Sequence, residues 1–91
     1  MIDSPEEVQV VMDLYGLPTY MVPGVQRYLF QKVSPGSFLR SVVENDFVGV
    51  VISADYENKD LLSQWGLMIH HHFPTRSYGS REAVEDWLID V

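Results

Sequence analysis

The stretch LLSQWGLMIHHHFP, residues 61–74, decides the fold class of this chain. Its large apolar residues recur three and four positions apart, which is the spacing that places side chains on one face of an α-helix. These residues are Leu61, Leu62, Trp65, Met68 and Ile69. Pro74 ends the helical pattern because a proline ring does not fit in a helix interior. The stretch therefore predicts a half-buried helix and favours an all-α protein.

Three consecutive histidines, His70, His71 and His72, close this predicted helix. Successive helical residues turn by about 100°, so the three rings point in different directions and do not converge on one metal ion. A helical zinc pair has its histidines four residues apart. The same rotation places His72 on the apolar side and the other two on the water side. We predict a helix terminus here, with no metal or cofactor; a metal site is the competing interpretation.

Two shorter helices are predicted before residue 34. Ser4 and Glu7 have the spacing of a capping box, and Gly16 is a natural helix stop. The helix between these two signals is predicted to bury Val8, Val11, Met12 and Tyr15. Residues 17–24 contain two prolines and predict a connector without regular helix. The next helix is predicted to bury Val25, Tyr28 and Leu29.

The rest of the chain is also predicted to be helical. Ser34 and Pro35 resemble a helix cap and first turn. The β-branched residues of 38–54 favour a strand, but their three- and four-residue spacing favours a helix, interrupted near Asn45 and capped again by Asp46. The apolar set expected to be buried is Phe38, Leu39, Val42, Val43, Phe47, Val50, Val51 and Ala54. Asp55 or Asn58 is predicted to cap the helix of residues 61–72.

A last helix is predicted after Ser80, with Val84, Trp87 and Leu88 on its buried face. The prediction is therefore a compact single domain of five to six short helices. Residues 1–24 are its N-terminal helix and connector, and residues 25–91 form the rest. A length of 91 residues suits one small domain.

Charge and composition exclude several classes of protein. Thirteen acidic residues against six basic ones give a formal charge of -7, which repels phosphate backbones. Direct nucleic-acid binding is therefore not expected. The chain contains no cysteine, no apolar run long enough for a membrane span and no signal-peptide pattern. We predict a cytoplasmic protein without a membrane contact.

Several short motifs, in order, resemble a family of small phage and prophage proteins. They are Arg27-Tyr28, PGSFL at 35–39, VVENDF at 42–47, Ala54-Asp55, Asn58 and YGSREAVEDWL at 78–88. The resemblance implies an all-helical protein in the host cytoplasm and supplies no catalytic residues. It does not cover residues 1–24, and the three histidines depart from the family's pattern.

The last helix carries acidic residues on the side opposite its apolar face. They are Glu82, Glu85, Asp86 and Asp90, and Glu6 and Glu7 of the first helix are expected to extend the acidic patch. The patch is either an ordinary solvated face or a surface for a basic partner. In the second case we expect a non-enzymatic phage accessory protein. It would bind a basic host protein or nucleoprotein complex and inhibit host defence, as an anti-CRISPR protein does.

The alternative function is sequestering a small ligand or nucleotide signal at an anion-binding site, for which we also expect a homo-oligomer. Its candidate residues are Arg27, Lys32 and Arg40, which flank a predicted helix start. These bases are otherwise expected to balance nearby acids. No P-loop, no G-x-S-x-G elbow and no G-x-G-x-x-G motif occurs, so we do not expect an enzyme.

Overall fold

In a computed structural model, which describes residues 1–89, the chain forms six α-helices. The helices are α1 Pro5–Leu14, α2 Val22–Gln31, α3 Ser37–Val43, α4 Phe47–Ser53, α5 Leu62–His72 and α6 Arg81–Ile89. Single 3₁₀ turns, Thr19–Met21, Asn58–Asp60 and Thr75–Ser77, precede α2, α5 and α6. No strand occurs within these 89 residues. The all-α prediction with six short helices is confirmed.

Both ends of α1 follow local sequence signals. Glu7 accepts hydrogen bonds from the Asp3 N–H at 3.3 Å and the Ser4 hydroxyl at 3.1 Å, but the Ser4 side chain caps no helical N–H. Neither bond of the predicted capping box therefore forms, because Glu7 accepts the N–H of the residue before the N-cap. At the other end Gly16 has φ +70°, and the Leu17 N–H donates to the Met12 carbonyl at 3.0 Å. This Schellman turn ends the helix where Gly16 predicts its end.

Two predicted boundaries around α2 are wrong. Residues 22–24 belong to the helix rather than to a connector, because Pro23 lies in the first turn, where no intrahelical N–H is required. After Gln31, Lys32 adopts a left-handed conformation with φ 56°, and α3 begins only at Ser37 with Gly36 as its N-cap. Ser34 and Pro35 therefore lie in the connection and do not start a helix.

α3 and α4 are separate helices, as predicted. Asn45 has a left-handed φ of 62°, and an Asp46 carboxylate oxygen accepts the Gly49 N–H at 3.1 Å as an N-cap. The two helices pack on each other. However, α4 has no fully buried residue, and Phe47 and Val51 are 74% and 53% exposed. The prediction that these two side chains are buried is wrong, because only the Val50 and Ala54 side of α4 packs against the core.

The core surrounds Trp65 of α5, which has no exposed surface. Phe38 meets its ring edge-on at a centroid distance of 5.7 Å. Tyr28 is equally buried; its hydroxyl donates to the Ser77 carbonyl, and its own carbonyl accepts the Trp87 indole N–H at 3.0 Å. Burial raises the pKa of Tyr28. These contacts join α3 to α5 and α2 to α6 within one apolar core.

Most residues predicted to be buried are buried. They are Val8, Val11, Met12, Val25, Tyr28, Leu29, Phe38, Leu39, Val43, Trp65, Met68, Ile69, Val84 and Trp87. Ser80 caps α6 as predicted, since its hydroxyl oxygen accepts the Ala83 N–H at 3.0 Å. Every buried side-chain nitrogen or oxygen in residues 1–89 has a hydrogen-bond partner. Over the same residues, no helix is both long and apolar enough to cross a bilayer.

Candidate functional site

The three histidines lie at the C-terminal end of α5. His70 and His71 are exposed, whereas His72 is half-buried with its ring edge-on to Tyr15 and its Nε2 3.2 Å from the Tyr15 hydroxyl oxygen. The His72 carbonyl accepts the Ile2 N–H at 2.9 Å. The predicted helix end and inward His72 are confirmed. In the part of the chain that the structure describes, no group of three metal-ligating side chains is arranged to hold an ion.

His72 has an environment that favours the neutral imidazole. Burial lowers its pKa, and the positive charges of the N-terminal amino group and of His71 lower it further. A neutral ring keeps one nitrogen as a hydrogen-bond acceptor and the other as a donor. The ring therefore joins the end of α5 to Tyr15, at the end of α1.

A hydrogen-bonded cluster of Tyr20, Asp55, Asn58 and Trp65 joins the turns before α2 and α5. The Asp55 carboxylate accepts the Tyr20 hydroxyl at 2.5 Å and the Asn58 N–H at 2.8 Å. The Asn58 side chain is 1% exposed, and its oxygen accepts the Trp65 indole N–H at 2.8 Å. Asp55 thus accepts the first N–H of the 3₁₀ turn before α5, while Asn58 is buried. The prediction that one of them caps α5 is wrong, because the N-cap of α5 is Leu61 and no side chain caps it.

This cluster also shifts two pKa values. The hydrogen bond from Tyr20 is the main reason why the pKa of Asp55 is lowered. The same bond is the main reason why the pKa of Tyr20 is raised to about 12. Each shift favours the charged Asp55 and the neutral Tyr20 that the bond requires. The cluster therefore stabilises the fold and provides no free acid or base for catalysis.

The predicted acidic face of α6 is exposed to solvent. Glu82, Glu85 and Asp86 are all exposed, while Val84 and Trp87 are buried on the other side of the helix. Asp90, the fourth acidic residue predicted for this face, lies outside the described residues. Glu85 has a weak exposed ion pair with Arg81 at 3.7 Å.

Glu6 and Glu7, predicted to extend the acidic face, are exposed in the first turn of α1. α1 packs mainly on α2 and α5, whereas α6 packs mainly on the turn Thr75–Ser77. The two acidic groups therefore lie on helices with different packing partners.

The three bases predicted to bind an anion have different environments. The Arg40 guanidinium pairs with Glu44 at 2.6 Å and donates to the Ser34 hydroxyl at 2.8 Å. The Lys32 ammonium lies 2.9 Å from the centre of the Trp87 ring, a cation–π contact. Arg27 is exposed and lines an open surface cavity of about 380 Å³. Two of the three bases are thus engaged within the protein.

A surface that the sequence interpretation missed lies on α4. Four of its seven residues are large, apolar and exposed: Phe47 at 74%, Val48 at 63%, Val51 at 53% and Ile52 at 77%. Val48, Val51 and Ile52 follow Phe47 by one, four and five positions, which places all four on one side of the helix. We call these four residues the α4 apolar face. Its area is on the order of 400 Å², comparable with the largest apolar patches of monomeric proteins.

A groove lies between α4 and α5 and meets the α4 apolar face at Phe47, the member of that face that lines it. It holds a cavity of about 350 Å³, with Val42, Val50, Leu62 and Trp65 also among its lining residues. Gly66 borders this cavity and also a second one of about 250 Å³. Apart from its chain neighbours and the backbone of α5, no atom of residues 1–89 lies within 4 Å of the position that a Gly66 Cβ atom would occupy. These residues therefore leave the space beside Gly66 open.

Acidic residues flank the α4 apolar face along the chain. Asp46 is exposed at the beginning of α4, and Asp55, Glu57 and Asp60 are exposed after its end. Lys59 is the one basic residue in the sequence between positions 44 and 60. α4 itself carries no charge. The surface thus combines an uncharged apolar centre with acidic ends.

Comparisons of the chain with protein-family models, with curated proteins and with solved structures found no match. The resemblance to phage proteins rests on the order of the sequence motifs and stays a prediction. The candidate surfaces are interpreted from the chemistry of their own residues.

Proposed function

We propose that this protein acts by binding another protein and not by catalysis. The observation that carries the proposal is the α4 apolar face, which leaves four large apolar side chains in water. The largest apolar patch of a monomeric protein has about this size and is often functional. Covering about 400 Å² of apolar surface contributes on the order of 10 kcal/mol before the entropic cost of association is subtracted. That contribution is of the same order as the cost of association, roughly 4–15 kcal/mol.

Charge selects the kind of partner that this protein binds. Five carboxylates and one lysine lie between residues 44 and 60, and the whole chain has a formal charge of -7. A partner with Lys and Arg around an apolar contact gains electrostatic attraction and associates faster at low salt. An acidic partner is repelled. We therefore assign the protein to binders of basic proteins.

The more specific form of this proposal concerns host defence. The motif order resembles phage and prophage proteins, and the acidic residues Glu82, Glu85 and Asp86 of α6 are exposed together. In this form, α6 enters the basic groove in which a defence complex binds nucleic acid, and thereby blocks it. The protein would then work in the host cytoplasm as an inhibitor similar to anti-CRISPR proteins.

The proposed function is tested by capturing partners from host lysate with three forms of the protein. They are the wild type, the double variant Phe47→Ser/Ile52→Ser and the control Val10→Ser/Leu14→Ser. The control changes two equally exposed apolar side chains of α1, which are 61% and 76% exposed. We expect a basic protein, identified by mass spectrometry, to be retained by the wild type and the control and lost by the α4 variant. Equal capture by all three forms would contradict a binding role for α4.

A further inference from the structure

We infer that the groove between α4 and α5 receives one amphipathic helix of a partner protein, with basic residues at both ends of its apolar stripe. This inference rests on the proposed binding function and specifies the partner's chemistry. Four observations identify this partner element: the volume of the groove, the missing side chain at Gly66, the length of the apolar face and the charges at its ends.

The volume of the groove is sufficient for inserted side chains. Its main cavity has a volume of about 350 Å³ and lies between Phe47 on α4 and Leu62 on α5, with Trp65 beneath. A cavity of roughly 150 Å³ holds a benzene-sized group. The groove therefore has room for two large side chains, such as Leu or Phe, from one partner element.

Gly66 lets the backbone of a partner come close to α5. A glycine inside a helix costs about 0.5–1 kcal/mol relative to alanine, and no contact within residues 1–89 requires it here. Gly66 lines the cavities on both of its sides, and its missing side chain leaves room there for an entering helix.

The length of the apolar face matches a short helix. α4 has seven residues and is therefore about 10 Å long. Side chains at positions i, i+4 and i+7 of a partner helix span the same distance of about 10 Å. A peptide that binds by adding a strand would instead need an open sheet edge, and the described residues contain no strand. A helix is the element that fits.

Charge argues against a second copy of this chain as the occupant. In an antiparallel pair, Asp46 of each copy would approach Asp55 and Glu57 of the other, and like charges repel. A helix with Lys or Arg at both ends pairs with these acids instead.

The test uses a fluorescein-labelled 14-residue peptide of Leu, Ala and Lys, with Leu at helical spacing and Lys at both ends. Its matched control carries Glu in place of every Lys. Fluorescence anisotropy is expected to show binding of the Lys peptide and at least tenfold weaker binding of the Glu peptide. Phe47→Ser/Ile52→Ser and Gly66→Leu are each expected to weaken binding at least tenfold, whereas Val10→Ser/Leu14→Ser stays within twofold of the wild type. Circular dichroism checks that every variant is folded.

Three outcomes would overturn the inference. The first is equal binding of the Lys peptide by the wild type and the Phe47→Ser/Ile52→Ser variant. The second is a dimer in light scattering that this variant abolishes, because a second copy would then occupy the groove. The third is no peptide binding at all while a lysate partner still requires α4; the proposed binding function would then stand and only the helix would be wrong. Loss of both would contradict the binding function as well.

Discussion

At the scale of single residues, polar side chains join segments that are far apart in the sequence. Tyr20 and Asp55 are 35 positions apart, and Tyr28 donates to a carbonyl 49 positions away. The inward orientation of His72 could be predicted, because helical rotation alone determines it. The bond between Asn58 and Trp65 could not be predicted, because it depends on how the turn before α5 folds back onto the helix.

The Tyr20–Asp55 bond predicts a pH dependence of stability. The pKa of folded Tyr20 is raised to about 12, so the unfolded chain loses this proton first, and stability present below pH 10 is lost as pH rises towards 12. The pKa of folded Asp55 is lowered, so its contribution is present above pH 3.8 and is lost as pH falls further.

Tyr20→Phe removes this bond and is expected to lower the melting temperature at pH 7 by a few degrees. The variant should also lose less stability than the wild type between pH 10 and pH 12 and below pH 3.8. Thermal unfolding followed by circular dichroism at these pH values measures both effects. Tyr56→Phe is the matched control, because that tyrosine is 83% exposed. Parallel pH profiles for wild type and Tyr20→Phe would show that the bond does not contribute.

At the scale of helices, local signals place most of the ends. Gly16, Asp46 and Ser80 each act where the sequence predicts, because capping involves residues within one turn of each other. The start of α2 was mispredicted because Pro23 suits both a connector and a first helical turn. The burial of α4 was mispredicted because helical spacing defines faces and does not identify the neighbours that cover them.

Two glycines of different conformation provide a test at this scale. Gly66→Ala is expected to stabilise the protein by about 0.5–1 kcal/mol, because α5 is helical there and the new methyl group meets nothing within 4 Å. Gly16→Ala is expected to destabilise it by about 1 kcal/mol, because φ is +70°. Urea unfolding measures both changes. Effects of the same sign would contradict the conformations assigned to these residues.

At the scale of the whole molecule, acidic charge is spread over several surfaces, and the formal charge of -7 repels anionic partners at long range. The chain packs to a Cα radius of gyration of 11.9 Å, close to the roughly 12 Å of a compact domain of this length. Within that small body, the exposed carboxylates of α6 and those around α4 both contribute to the field that a partner meets. Long-range attraction to a basic protein is therefore a property of the whole surface, whereas close contact depends on particular side chains.

Charge reversal distinguishes these two contributions. Glu82→Lys/Asp86→Lys and Asp3→Lys/Asp13→Lys each change the net charge by the same amount, and all four residues are exposed. If α6 contacts the partner, the first variant should weaken binding of the captured basic protein at least tenfold at low salt and the second much less. Surface plasmon resonance over a range of salt concentrations measures both. Equal weakening would mean that α6 contributes only to the overall field.

The sequence by itself determined the helical class, most helix ends, most of the buried stripes and the acidic character. These follow from the spacing of apolar residues, from helix caps and from composition. Spacing and caps act within a few residues of each other, and composition does not depend on the three-dimensional structure. Only the tertiary structure decided that the α4 apolar face stays in water, that Gly66 opens a groove and that Arg40 is paired with Glu44. The physical reason is that burial and groove shape depend on which distant segments pack together. The apolar sequence of α4, FVGVVIS, is compatible both with a buried helix and with an exposed binding surface. Only the packing of the neighbouring segments distinguishes the two.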